Sequence, residues 1–200
     1  NQSYDANKLE VGVDEVARGC LAGRVYSAAV IWPPEFDEEE IHPIIKDSKK
    51  LSKKKRAMLS EYIKKHALDW SVGIVKASEI DDINILQASF KAMHNALDNL
   101  QKVVPDHILV DGHMFKPYYH PGSEDFITHN CIIECDNKFL SIAAASILAK
   151  EARDEYMLHL HNKNELFQKY GWDKNKGYAT KQHRMAILEF GITKYHRQTF

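Results

Sequence analysis

Four acidic residues stand where apolar stretches of the chain run out. Asp14 and Glu15 follow Val11-Gly12-Val13, Asp111 follows Ile108-Leu109-Val110, and Asp136 closes the stretch over residues 126–135. A carboxylate in such a place is costly to bury without a partner. Strands of one sheet that end at one edge bring such residues together, and four converging carboxylates repel one another unless cations sit among them. Hard oxygen donors of this kind suit magnesium or manganese, and two such ions about 4 Å apart can clamp a scissile phosphate. The residues alone leave a second reading open. Aspartates at strand ends also make turns and cap helices, and Asp111-Gly112 is a common turn dipeptide.

The elements that must position these groups follow from periodicity. Residues 9–14 alternate and are rich in valine, which predicts a strand. Gly19 and Gly23 mark a turn, and residues 24–32 form a second strand stopped by Pro33-Pro34. A helix is expected from Ser52, a suitable N-cap, to about residue 66. A third strand follows over residues 70–77, and helical spacing runs over 83–100. Residues 107–110 and 126–135 read as strands, and residues 141–161 and 180–189 as helices. The expected fold is α/β, a mixed central sheet of about five strands flanked by helices. We read residues 1–200 as one domain, with 162–200 as a C-terminal helical annex. The small residues Ala143-Ala144-Ala145 would let the long helix approach the sheet closely and fix its start.

The composition excludes several classes. Lysine and arginine number 27 against 28 acidic residues, a formal net charge of −1, so the chain lacks the overall basic charge of many nucleic-acid binders. The charges are nevertheless segregated. The span 46–56 holds Lys46, Lys49, Lys50, Lys53, Lys54, Lys55 and Arg56, just after an acidic span at 35–40. Apolar runs such as 142–149 fall short of the roughly 20 residues that a membrane helix needs. No signal-peptide pattern is seen at the start, and the three cysteines suggest no disulfide framework. Cys131 and Cys135 lack a second ligand pair for zinc. These features suggest an intracellular protein of the cytoplasm, or of the nucleus in a eukaryote, and a monomer.

The motifs then resemble those of one family. Val13-Asp14-Glu15-Val16-Ala17-Arg18-Gly19-Cys20-Leu21-Ala22-Gly23 resembles the opening motif of ribonuclease HII, the type 2 ribonuclease H. Asp47-Ser48-Lys49-Lys50-Leu51-Ser52, Val110-Asp111-Gly112 and Asp136-Asn137-Lys138 are similar to later motifs. So are the helix motif from Ser141 to Arg153-Asp154, Gly177-Tyr178-Ala179-Thr180-Lys181 and the ending His196-Arg197-Gln198-Thr199-Phe200. They occur in family order along nearly the whole chain.

The resemblance implies a ribonuclease H-like fold and an endonuclease with a two-metal site, magnesium or manganese held by Asp14, Glu15, Asp111 and Asp136. It implies hydrolysis of the RNA strand of RNA/DNA hybrids and cleavage 5′ of ribonucleotides embedded in duplex DNA, leaving 3′-hydroxyl and 5′-phosphate ends, as in ribonucleotide removal during replication and repair. The loop Ala17-Arg18-Gly19 matches the family's Gly-Arg-Gly loop, which reads the 2′-hydroxyl with backbone groups. Tyr178 matches a tyrosine that stacks on the neighbouring sugar. Lys49, Lys138 and Lys181 become expected phosphate contacts, and the basic run part of a duplex-binding face. Two departures stand out. Alanine at 17 disfavours positive φ, so the loop must rearrange or read the RNA–DNA junction less strictly, and Cys20 in place of the usual proline leaves the loop freer. A different nuclease of the same fold, or a binding module that has lost the chemistry, are the alternatives.

Overall fold

In this computed structural model, which describes residues 4–5, 7–33, 45, 51–133 and 139–200, the alternation of β1 (Glu10–Val16) organises two layers. Val11 and Val13 face one side and Gly12, Asp14 and Val16 the other. β1 lies at the centre of a six-stranded sheet, one strand more than expected. Antiparallel β2 (Val25–Ile31) flanks it, followed by β3 (Asp69–Val75) at one edge. On the other side, β4 (His107–Asp111) runs parallel to β1, and β6 (Phe126–Ile132) parallel to β4. The two-residue β5 (Tyr118–Tyr119) closes that edge, too short for an alternation pattern to reveal.

Helix α1 (Lys53–His66) starts where Ser52 caps it, accepting from Lys55 N at 3.3 Å. With α3 (Leu140–His161) it covers one face of the sheet, where Leu59 and Ile63 meet Ala143, Ala144, Ile147 and Leu148 over Ala28 and Val30. Helix α2 (Ala77–Asp98) covers the other face, with Met93, Ala96 and Leu97 packed on Val11, Val13, Ile31, Ile108 and Val110. It begins six residues before the expected 83 because the span 77–98 contains a kink. Asn84 there takes φ +65°, and its side chain caps the second segment, accepting from Leu86 N and Gln87 N.

The short helices α4 (Glu165–Gln168) and α5 (Trp172–Asn175) were not foreseen; α6 (Lys181–Phe190) was. Phe167, Tyr170, Trp172 and Ala186 gather against Met157 and Leu160 at the end of α3, and against Ala22 of the first turn.

The close approach expected of α3 is present, and it acts on β1. A methyl group on Gly12 would intrude on the backbone of Ser141 and Ile142, so only glycine lets the start of α3 rest on the strand two residues before Asp14. Among the described residues no helix is long and apolar enough to cross a membrane.

Candidate active site

The parallel pairing of β1 and β4 brings two of the four carboxylates together. Val13 is opposite Val110, so Asp14 and Asp111 are the next neighbours in register, with Asp14 on the face that α3 covers. Glu15 projects from the other face into a cleft that it lines with Arg18, Phe90, Met93, Asp111 and His113. Asp136, the fourth expected carboxylate, lies outside the described residues, as do Lys49 and Lys138.

The electrostatics are those of crowded acids. Burial, then the charges of Glu15 and Asp111, pushes the Asp14 carboxyl well above the usual carboxylate range. Bonds from Ser146 and from the Glu15 amide, the latter at 2.7 Å, partly offset this. Burial also raises Glu15, Asp111 adds to that, and Arg18 opposes it through an ion pair at 3.3 Å. The other Glu15 oxygen, Oε2, is buried without a hydrogen-bond partner.

Mutually repelling carboxylates with an unsatisfied buried oxygen are a donor set that fits a hard divalent cation. Among the described residues alone, no three acidic, histidine or cysteine side chains close into a metal cage.

Beside the carboxylates runs the loop Ala17-Arg18-Gly19-Cys20. Ala17 does not avoid the left-handed region; it sits at φ +75°, a conformation that costs roughly 1–2 kcal/mol for a residue with a Cβ. Two buried arginines hold it there. Arg197 donates to the carbonyls of Ala17 (2.8 Å), Arg18 (2.7 Å) and Gly23 (3.0 Å). Arg153 of α3 donates to those of Ala22 (3.0 Å) and Arg24 (3.1 Å). Five main-chain oxygens are thus gripped by two guanidinium forks. Sequence reading placed both arginines in motifs without giving them this task, because only tertiary structure aims them at the loop.

Cys20 does not leave the loop loose. It is fully buried, bridges to Tyr178 and bonds side chain to side chain with it. Leu21 N donates to Gly177 O at 2.9 Å, and Gly23 N to Tyr195 O at 2.7 Å. The loop is therefore stitched to the 177–178 turn and to the chain's last residues. Tyr178 presents its ring beside the loop, 41% exposed. Gly19 has open space where a Cβ would be, and Arg18 is exposed. Lys181 is exposed in the first turn of α6, three residues beyond Tyr178.

One charge reading needs correction. Arg56, counted in the basic run, is buried and bonds Glu151 and Asp154 at 2.7 Å each, so it ties α1 to α3 and does not face solvent. Asp81 of α2 is tied down as well. It accepts from the amide and hydroxyl of Thr199, and these bonds lower its pKa although burial acts the other way.

A sequence model of the ribonuclease HII family matches residues 11–200. The chain belongs to the ribonuclease HII family. Ribonuclease HII of Bacteroides thetaiotaomicron is 54% identical over 192 residues, covering 96% of this chain and 89% of that protein. That of Parabacteroides distasonis is 51% identical over 199 residues, covering 98% and 92%. Among solved structures, the ribonuclease H2 of Pyrococcus horikoshii has the same fold (TM-score 0.78, 24% identity, 96% of this chain and 93% of that one). Ribonuclease HII of Archaeoglobus fulgidus, solved in complex with PCNA, aligns with TM-score 0.73 at 25% identity over 96% and 95% of the two chains. The chain is accordingly a type 2 ribonuclease H, an endonuclease of a metal-dependent family that acts on RNA/DNA substrates.

Proposed function

We propose that this ribonuclease HII hydrolyses the RNA strand of RNA/DNA hybrids and also cuts 5′ of single ribonucleotides embedded in duplex DNA. The products would carry 3′-hydroxyl and 5′-phosphate ends. Asp14, Glu15, Asp111 and Asp136 would hold two divalent cations, magnesium or manganese. The observation that carries this reading is the juxtaposition of the neighbouring Asp14 and Asp111 with a strained, doubly clamped loop and a half-exposed tyrosine. The cations, when bound, supply Lewis acidity at the scissile phosphate.

The chain's own residues do the rest. Asp14 and Asp111 concentrate negative charge at one sheet edge, and Glu15 contributes from the cleft beside it. The main chain of Ala17, Arg18 and Gly19 reads the 2′-hydroxyl, the one group that separates RNA from DNA locally. The open space at Gly19 admits the sugar to close range. Tyr178 stacks on the adjoining sugar. Lys49, Lys138 and Lys181 contact phosphates, with residues 162–200 as the substrate-binding part of one domain. The enzyme works as a monomer in the cytoplasm.

The test uses two labelled duplexes, one with a single ribonucleotide in DNA and one continuous hybrid, each with magnesium, manganese or chelator. Metal-dependent cutting 5′ of the lone ribonucleotide is expected, together with cutting of the hybrid. Cutting of the hybrid alone would remove junction reading from the loop. Binding without any cutting would leave a non-catalytic module. Asp136→Asn should abolish cutting and keep duplex binding.

A further inference from the structure

His183 lies on the first turn of α6, fully buried, and its Nδ1 is 2.9 Å from the carbonyl oxygen of Tyr178. Its Nε2 meets two groups, the Trp172 indole nitrogen at 3.1 Å and His196 Nε2 at 3.2 Å. His196 Nδ1 in turn meets the Thr193 amide at 2.9 Å and the Thr193 hydroxyl at 3.0 Å.

The protons in this chain can be assigned by elimination. The Thr193 amide can only donate, so His196 Nδ1 accepts and its Nε2 carries the proton. The Trp172 indole can also only donate, so His183 Nε2 accepts from both Trp172 and His196. His183 Nδ1 must then carry a proton, and the Tyr178 carbonyl can only accept it. Every bond points the same way, from Thr193 through two neutral imidazoles to one main-chain oxygen. Adding a proton to either ring would set one N–H against another.

The groups facing the rings carry no charge among the described residues. They are the backbone of Gly177, Tyr178 and Thr193, the Thr193 hydroxyl, the Trp172 indole and the Tyr170 ring. No opposite charge there offsets the burial that disfavours an imidazolium.

The carbonyl at the end of the chain belongs to the residue whose ring lies half-exposed beside the loop. That residue's amide donates to Asn175 O at 2.9 Å, and its backbone bridges to Cys20. Gly177, just before it, takes φ +84°. The Tyr178 oxygen is held from only one other side, by the Thr180 amide at 2.8 Å.

We propose that His183 is a positioning residue for ribonucleotide recognition, its Nδ1–H fixing the Tyr178 backbone so that the tyrosine ring meets the sugar at a defined depth. This rests on the substrate role proposed for Tyr178. His196 is the partner that sets the tautomer of His183.

The test compares His183→Asn with His183→Gln in the full chain. An asparagine amide lies near the place of Nδ1 and keeps the donor; a glutamine amide reaches toward Nε2 and loses it. Kinetics on the two duplexes should show glutamine raising KM for the single-ribonucleotide duplex roughly tenfold, the scale of a lost hydrogen bond, with kcat and hybrid cutting changed far less. Asparagine should restore KM to within about threefold. Nitrogen-15 spectra of the wild-type histidines should show a proton on Nδ1 of His183 and on Nε2 of His196.

Equal kinetics for the two variants, or losses that simply track melting temperature on both duplexes, would make His183 a core residue and end the proposal. So would the opposite tautomers. A Tyr178→Ala variant that cuts normally, with the tautomers as assigned and the Tyr178 ring resonances shifted in the glutamine variant only, would instead overturn the substrate role of Tyr178 and leave its positioning by His183 intact.

Discussion

Arg197 Nη2 donates to the Ala17 carbonyl at 2.8 Å across 180 positions of sequence, and Ala17 is the residue held at φ +75°. A strained residue persists only where its surroundings over-determine it, and here a guanidinium fork does so. Lysine at 197 could satisfy one of the three carbonyls, leaving two buried acceptors unpaired. Arg197→Lys should therefore lose about 2–4 kcal/mol in urea denaturation, with cleavage falling further than stability explains. Conversely, Ala17→Gly should gain roughly 0.5–1 kcal/mol, the relief of strain less the added freedom of the unfolded chain. A destabilised glycine variant would refute the strain.

Metal and pH should be linked through Asp14. Burial, then Glu15 and Asp111, makes its carboxyl hold a proton more tightly in the folded protein than in the unfolded chain. Without metal, the folded state therefore loses stability as pH rises through that raised value. Cations need the deprotonated form, so the rise in melting temperature on adding magnesium should be larger at about pH 8 than at about pH 5.5. Asp14→Asn should raise the melting temperature in chelator and abolish cleavage. Melting curves at the two pH values, with and without magnesium, decide it.

The imidazole pair predicts an acid limit. Burial first, then His183, pushes His196 down to about 4, and burial lowers His183. Both are neutral in the fold and take up protons near 6.5 once unfolded. Their contribution is complete above about pH 6.5 and is lost progressively toward about pH 4. Urea midpoints across that range should fall less steeply for His196→Asn than for the parent; parallel slopes would remove the pair from the acid response.

Glu151 and Asp154 share Arg56 at 2.7 Å each, all three nearly buried. Removing one partner of such a set leaves charge uncompensated, whereas replacing pairs by apolar groups is often neutral. Glu151→Ala should cost about 3 kcal/mol, and Arg56→Met combined with Glu151→Leu and Asp154→Leu should cost less. Chemical denaturation of the single and triple variants tests the ordering.

Gly12 should tolerate no side chain. A methyl there meets the backbone of Ser141 and Ile142, so either β1 or the start of α3 must shift. Gly12→Ala should lose about 3 kcal/mol or more and depress cleavage severely, because Asp14 lies two residues on. Near-normal activity at a temperature where the variant is folded would show that the site absorbs the shift.

The sheet's central strands were legible because β1 and β4 carry dense valine, isoleucine and leucine, with Asp14 and Glu15 near the end of β1 and Asp111 closing β4. That Asp14 and Asp111 become neighbours was not legible, since it depends on a parallel register between strands 97 positions apart. Arg56 was read as a surface charge because it follows a run of lysines, and its carboxylate partners lie on another helix. The α2 kink escaped because Asp81-Asp82-Ile83-Asn84 reads as a polar boundary, while Asn84 supplies a cap that lets helix continue on both sides. The strain at Ala17 was foreseeable as a conflict; its resolution by Arg197 was not.

The stitching of residues 17–23 to 177–178 and 195–197 has a consequence for biosynthesis. The loop is translated well before its clamps, since Arg197 lies 180 positions after Ala17. Contacts this far apart in sequence form late in folding. A nascent or prematurely stopped chain can hence pair β1 with β2 yet lacks Arg197 and the Gly177 carbonyl. The cell therefore makes this nuclease in a form that is disarmed until residues 177–197 have been added.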